Sequence, residues 1–254
     1  EVVKITLIVY LAVLITKMGS EINDWKKVMK VGLLRALPIA AIVGANNLSS
    51  GIIIVGIAFG MLFIASRHKV LFYAGGIAAA VVVAVAGPLA ILLEKIKVLK
   101  PYQLSRIHVW LSPEAYPMDG GYQVLQGLYA IGSGGLFGKG LGESIQKMGF
   151  VPEAQNDMIF SIICEELGFF GALCVIMIFL FLISRFVLIA NNAPDLLGAL
   201  IVVGVMAHIA IQVILNIAVV TNTIPNTGIT LPFISYGGTS IVFLEAEMGM
   251  VLSV

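Results

Sequence analysis

The chain has 254 residues, 59% of them hydrophobic and only 11% charged, with a net charge of +1. A soluble domain carries roughly a quarter charged residues, and a water-soluble fold of this size could not cover so much apolar surface. The composition therefore fits a bilayer as solvent, and the near-neutral balance gives no footing for a nucleic-acid partner.

In chain order, the opening Glu1-Val2-Val3-Lys4 has neither an initiator Met nor a basic n-region, so the sequence reads as a piece of a longer protein. A bilayer-crossing helix needs about 20 mostly apolar residues. By that measure about seven spans are expected, near 2–16, 33–48, 51–66, 70–93, 158–184, 197–221 and 239–254. The second and third meet at Asn46-Asn47-Leu48-Ser49-Ser50-Gly51, a polar break that predicts a tight helical hairpin. The fold class is thus an all-α polytopic helix bundle, one transmembrane domain over 1–254 with a large loop at 94–157.

Lys17, Lys26, Lys27 and Lys30, then Arg67 and Lys69, then Arg185 fall in loops on one side, and the short loops 47–50 and 222–238 hold no Lys or Arg. The positive-inside rule makes the first set cytoplasmic and puts 94–157 outside. Loops as long as 94–157 are uncommon unless functional. This one carries twelve charged residues and the glycine run 132–142. That run fails the Walker A template at Ser133 and at Gly140. It reads as a compact loop needing positive φ at several points. The alternative, an outward-facing anion nest near a lipid pyrophosphate, stays open.

Several charged groups could do chemistry. Asp157 stands at the outer end of a span, where partial desolvation raises a carboxyl pKa towards that of a useful base. A helix N-cap is the plainer reading. Arg106 suits bidentate phosphate contact, or is a solvated loop charge. Glu1 and Lys4 have the i,i+3 spacing of a helical ion pair, and Lys4 is also placed to snorkel. Glu165 and Glu166 lie about 12–14 Å below Asp157, inside a span. At 100° per residue Glu165 is about 80° from Asp157 and Glu166 about 180°, so Glu165 is the one expected to share a cavity with Asp157. A polar contact between helices is its plainer role. His68, His108 and His208 match no ligand spacing; His208 reads as a hydrogen-bonded interior residue. Cys164 and Cys174 read as packing residues, and no metal-ligand motif is visible. Ser235 and Tyr236, beside helix-breaking Pro225, Pro232, Gly237 and Gly238, read as architectural.

A family resemblance rests on several separate stretches. These are Pro101-Tyr102-Gln103 with Arg106, Gly121-Tyr122-Gln123-Val124-Leu125-Gln126, and Ala130-Ile131-Gly132-Ser133-Gly134-Gly135. Next come Phe150-Val151-Pro152-Glu153-Ala154-Gln155-Asn156-Asp157-Met158-Ile159-Phe160, Glu165-Glu166-Leu167-Gly168 and Asn216. The last is Pro225-Asn226-Thr227-Gly228-Ile229-Thr230-Leu231-Pro232-Phe233-Ile234-Ser235-Tyr236-Gly237-Gly238. Together they resemble the bacterial SEDS family of peptidoglycan glycosyltransferases (FtsW, SpoVE, RodA). Thr230 favours the FtsW/SpoVE branch. Gln155-Asn156 departs from the frequent His-Thr, and Glu245 and Glu247 stand where apolar residues are expected.

The resemblance implies a bacterial cytoplasmic-membrane enzyme, with the spans read here matching the last seven of the family's ten. It implies polymerisation of lipid II at the outer face, in division or sporulation. Asp157 would be the essential base, with Arg106, Lys4, Glu1 and Glu165 as substrate-binding candidates. The expected partners are lipid II, membrane lipids and a class B penicillin-binding protein transpeptidase. A divalent cation, Mg or Mn, would suit a pyrophosphate leaving group. Two other functions stay open: a lipid II flippase using Glu165, Glu166, Glu245 and Glu247, and a scaffold for a transpeptidase.

Overall fold

The computed structural model describes residues 1–19, 21, 24–66, 73, 75–77, 81, 85 and 101–254. Among these residues the regular elements are helices: α1 (Val2–Met18), α2 (Trp25–Asn46), α3 (Leu48–Ala65), α4 (Pro101–Leu111), α5 (Gly121–Gly134), α6 (Ile159–Asn192), α7 (Leu196–Val220) and α8 (Gly238–Leu252). Three of them, α3, α6 and α7, are long and apolar enough to cross a membrane on their own. Helices also occupy the other expected spans that the described residues cover. The expected span 70–93, with Arg67 and Lys69, falls almost wholly outside the described residues.

The chain forms two compact units. Unit 1 contains Glu1–Tyr73, Met177–Ile214 and Gly237–Val254. On α1, Leu7, Ile8, Leu11, Ala12 and Ile15 recur at helical spacing and are buried. The predicted hairpin is present, and a single residue makes it. The Asn47 amide donates to the Val43 carbonyl (2.8 Å) and closes α2, while its side chain accepts from the Ser50 amide (3.3 Å) and caps α3. A Cβ at Gly51 would lie 2.9 Å from both the Gly44 Cα and the Ala40 carbonyl oxygen, so the two helices touch backbone to backbone. Further small residues seat their neighbours: a Cβ on Gly56 would meet Ile211 Cδ1 at 2.4 Å, and one on Gly204 would meet Ile8 Cγ2 at 2.6 Å.

Unit 2 contains Ala74–Ile176 and Leu215–Tyr236. The segment expected as the 94–157 loop is not a plain loop over its described residues. It carries α4, two short 3-10 turns at Pro113–Ala115 and Pro117–Asp119, and α5. Trp110 Nε1 donates to the Asn222 carbonyl (3.0 Å) and Asn222 Nδ2 donates back to the Trp110 carbonyl (3.3 Å), which ties α4 to the turn after α7.

The glycine run explains a break in α6. At Gly168 the backbone leaves the helix (φ 69, ψ −166). Loop amides at Lys139 and Gly140 donate to the carbonyls of Glu165 (2.9 Å) and Glu166 (3.0 Å), and the amides of Phe169 and Phe170 donate to Gly135 (2.9 Å) and Leu136 (3.2 Å). The loop is thus laced into the kink, and two carbonyls and two amides at the break find partners in it. The expected positive φ occurs at Gly135, Gly138, Gly140 and Gly142. The amides of Lys139 and Gly140 are spent on α6, which removes two donors from the anion-nest alternative.

Three expectations need correction. The basic residues expected in loops lie inside helices: Lys17 in α1, Lys26, Lys27 and Lys30 in α2, and, within an α6 that runs on to Asn192, Arg185. Its long side chain can reach an interface from within a helix, so one Arg does not end the helix. Cys174, expected to pack inside, is exposed, whereas Cys164 is buried. The third concerns Glu165 and is taken up with the site.

Candidate functional site

Asp157 ends an irregular stretch just before α6. What holds it there is the C-terminal motif, acting on three successive carbonyls. The Tyr236 amide donates to the Gln155 carbonyl (2.8 Å). Ser235 Oγ donates to the Asn156 carbonyl (2.6 Å). Asn216 Nδ2 donates to the Asp157 carbonyl (2.9 Å) and also to that of Ile229 (2.6 Å). Ser235 Oγ accepts from the Leu231 amide (2.7 Å), which fixes the hydroxyl rotor. Buried polar groups need such partners, so Asn216 in the otherwise apolar α7 is there to bond backbone. Ser235 has the architectural role expected of it.

The carboxylate faces a cavity of about 200 Å³ lined by Arg106, Val109, Gly120, Gln123, Asp157, Asn226 and Gly228. Gln123 Nε2 lies 3.4 and 3.5 Å from the two carboxylate oxygens. Asn226 Nδ2 donates to Gln123 Oε1 (3.1 Å) and so aims the Gln123 amide nitrogen at Asp157. Arg106 Nη1 donates to the Asn226 carbonyl (3.2 Å), which places an exposed guanidinium on the same cavity. Asp157 itself is only 8% exposed. Burial, with the Glu153 charge adding to it, pushes its carboxyl from 3.8 up to about 6, against the pull of nearby backbone amides and of Gln123. The cap role is not what these bonds describe, since the carboxylate bonds to Gln123 across the cavity.

Glu165 is not in this cavity. It is fully buried and takes Lys139 Nζ (2.6 Å), Ser144 Oγ (2.5 Å), Ser133 Oγ (3.3 Å) and the Gln146 amide (3.2 Å). Its neighbour Glu166 takes Lys147 Nζ (2.6 Å). The laced loop saturates Glu165 and pairs Glu166. Helical-wheel angles could not foresee this, because the loop's approach decides which side of α6 is polar. Glu1 and Lys4 belong to unit 1, where they pair at 2.8 Å. The structure therefore brings Asp157 and Arg106 to one cavity and gives Glu165 another task. Gln123 and Asn226 are site residues that sequence reasoning quoted only as parts of a motif. Their signal was a pair of amide side chains in segments otherwise rich in Gly, Tyr and Thr.

A family model named FTSW_RODA_SPOVE and described as "Cell cycle protein" matches residues 1–254. Stage V sporulation protein E of Bacillus subtilis (strain 168) is 38% identical over 259 residues, spanning 100% of this chain and 67% of that protein. The probable peptidoglycan glycosyltransferase FtsW of Coxiella burnetii (strain RSA 493 / Nine Mile phase I) is 36% identical over 258 residues, with the same coverage of 100% and 67%. Of solved structures, a chain from a peptidoglycan synthase complex, studied for coordination of polymerization and crosslinking, aligns with a TM-score of 0.73 at 27% identity. It covers 98% of this chain and 67% of that one. Thermus thermophilus rod shape determining protein RodA has the same fold, with a TM-score of 0.63 at 22% identity over 98% of this chain and 62% of that one.

Proposed function

The chain belongs to the FtsW/RodA/SpoVE family of cell cycle proteins, and from that premise we propose that it is a multi-pass enzyme of the bacterial cytoplasmic membrane that polymerises lipid II into glycan strands. The observation that carries the reading is the buried, upward-shifted carboxyl of Asp157 in a cavity shared with Arg106. In the reaction, the 4-hydroxyl oxygen of one sugar bonds to the anomeric carbon of another. The bond from that carbon to undecaprenyl pyrophosphate breaks, and the hydroxyl proton passes to an Asp157 carboxylate oxygen. Gln123, held by Asn226, orients the carboxylate, and Arg106 offers its fork to phosphate oxygens.

The cavity has a single carboxylate, and among the described residues no group of three or more potential ligands gathers. This donor set does not fit a resident Mg or Mn, so a divalent cation would enter with the pyrophosphate as part of the substrate. Of the four carboxylates a transport path would use, three are committed locally, Glu165 to Lys139, Glu166 to Lys147 and Glu247 to His208, and Glu245 is exposed. That favours the enzyme over a flippase. A class B penicillin-binding transpeptidase is the proposed partner, in keeping with the synthase complex to which the fold is similar. The decisive test is polymerisation of purified lipid II by the full-length protein, scored as glycan strands; no strands from a well-folded preparation, with or without the transpeptidase, would reject the reading.

Two measurements refine it. Asp157 must be ionised to accept a proton, so kcat/KM should fall about tenfold per pH unit below a midpoint near 6. A midpoint near 4 would mean that the carboxyl is solvated during turnover. Replacing Arg106 with Gln should raise KM for lipid II about 10- to 100-fold, as expected for loss of a charge-assisted contact. Arg106→Lys should recover only part of this, because an ammonium lacks the planar fork. Equal KM values for the three proteins would remove Arg106 from substrate binding.

A further inference from the structure

Unit 2 has an apolar surface that the reaction above does not use. Along α5, Gly127 lies beside Met158 and Gly134 beside Cys164, so α5 descends in the same direction as α6. The chain turns at Gly135 (φ 57) and climbs back to Asp157. The turn meets α6 at its kink: the amides of Phe169 and Phe170 donate to the carbonyls of Gly135 and Leu136, and the rings of Phe137 and Phe170 are 5.3 Å apart. The backbone is bonded there, yet the large side chains are left outside. Leu136 is 60% exposed, Phe137 79%, Phe169 58% and Phe170 49%.

Polarity changes around this tip within about one helical turn. On one side of it Lys139 pairs with Glu165 and Lys147 with Glu166, each at 2.6 Å, and both lysines stay partly exposed. On the other side α6 runs from Phe169 to Ser184 without a charged residue. With 34 residues, α6 is about 50 Å along its path, well beyond a hydrocarbon core of about 30 Å. Part of the helix must therefore stand outside the core. Glu165 and Glu166 mark that part, because ions avoid hydrocarbon. The boundary of the core then falls near Phe169, and not at residue 158, where apolar length alone places it.

We propose that the tip, Leu136 and Phe137 together with Phe169 and Phe170, is inserted into the leaflet at that end of α6, among the upper acyl-chain carbons of its lipids. The apolar surface of the span continues onto the tip through the Phe137–Phe170 contact, so the lipid that covers one covers the other. The turn can enter hydrocarbon because the carbonyls of Gly134, Gly135 and Leu136 already accept from the amides of Gly138, Phe169 and Phe170. A docked protein would use polar groups at the rim to fix its register, and the lysines beside the tip are engaged by Glu165 and Glu166. The insertion holds whether or not Asp157 is the base.

The test uses full-length protein with its native cysteines replaced by alanine, in phosphatidylcholine nanodiscs. A nitroxide is placed at Leu136→Cys, at Phe137→Cys and, as a control on the same loop, at the exposed Glu143→Cys. At the first two, relaxation should be accelerated more by oxygen, which concentrates in hydrocarbon, than by a water-soluble nickel chelate; the control should show the reverse order. A preference for nickel at 136 and 137 would put the tip in water and overturn the proposal. Weak acceleration by both reagents would mean that protein covers the tip, and would overturn it equally. Phe137→Trp retains an aromatic ring and needs no label or cysteine-free background. Its fluorescence, taken as the difference from the parent protein, should be lost more to lipids brominated near the glycerol end of the acyl chain than to lipids brominated near its middle. No loss with either lipid, or a greater loss with the deeper bromines, would refute insertion at this boundary.

Discussion

Asp157→Asn should reach the membrane at ordinary levels, bind lipid II and lose polymerisation by about 10²–10⁴-fold, the usual worth of general-base catalysis. The amide is nearly isosteric, and the backbone clamp on residues 155–157 does not involve the side chain. The same substitution should stabilise the protein at neutral pH. The carboxyl's pKa of about 6 in the folded state exceeds its ordinary 3.8, so ionising it penalises the folded state. The penalty is absent below pH ~4, grows as pH rises towards 6, and reaches about 3 kcal/mol above that. Asp157→Asn should therefore melt above wild type at pH 8 and with it near pH 4. Asp157→Glu should be impaired too, because its longer arm moves the carboxylate by about an ångström, a displacement that proton transfer tolerates poorly. Thermal unfolding in detergent, followed at both pH values beside the polymerisation assay, checks both halves. A well-expressed Asp157→Asn protein with near-normal polymerisation would remove Asp157 from catalysis.

Gly138→Ala should be among the most damaging single methyls in unit 2. Gly138 has φ +78, and a Cβ there would lie 2.1 Å from the Glu166 carbonyl oxygen. The obstacle is helix backbone already bonded to the loop, so it cannot swing aside. Positive φ alone costs about 1–2 kcal/mol, and displacing the lacing adds loss of buried backbone hydrogen bonds at about 1–3 kcal/mol each. The variant should lose several kcal/mol and accumulate poorly. Gly142→Ala is the control. It has φ +87, but a Cβ there meets nothing within 4 Å, so it should show the backbone strain without the collision. Equal melting temperatures for the two variants would mean that the loop is not locked to α6.

Much of this fold is legible in the sequence because bilayer physics is blunt. Uninterrupted apolar length locates α3 and α7, and the polar break at 46–51 yields the hairpin, though not that Asn47 is its cap. Ends are harder, since a helix can carry an Arg for another turn or two, as α6 does at Arg185. Asp157 could be singled out as a carboxylate at the head of a span. Its setting could not, because the groups that hold it come from segments up to 79 residues away. Glu165 shows the limit of periodicity: 100° per residue gives a direction on α6, but the loop determines what meets it. His208 and Glu247 were each visible as ionisable residues in apolar surroundings. That they are partners across 39 residues is a fact of packing.

The clamp on Gln155, Asn156 and Asp157 also orders events in the life of the chain. Synthesis proceeds from the N-terminus. Asn216 follows Asp157 by 59 residues, and Ser235 follows Asn156 by 79. A nascent chain whose α6 has just entered the bilayer thus carries its carboxylate on an unsecured strand of backbone. Three carbonyls acquire their donors only after α7 and the Pro225–Tyr236 stretch have emerged. Segments made later than α6 therefore complete the site, and a product terminated before them is born inert.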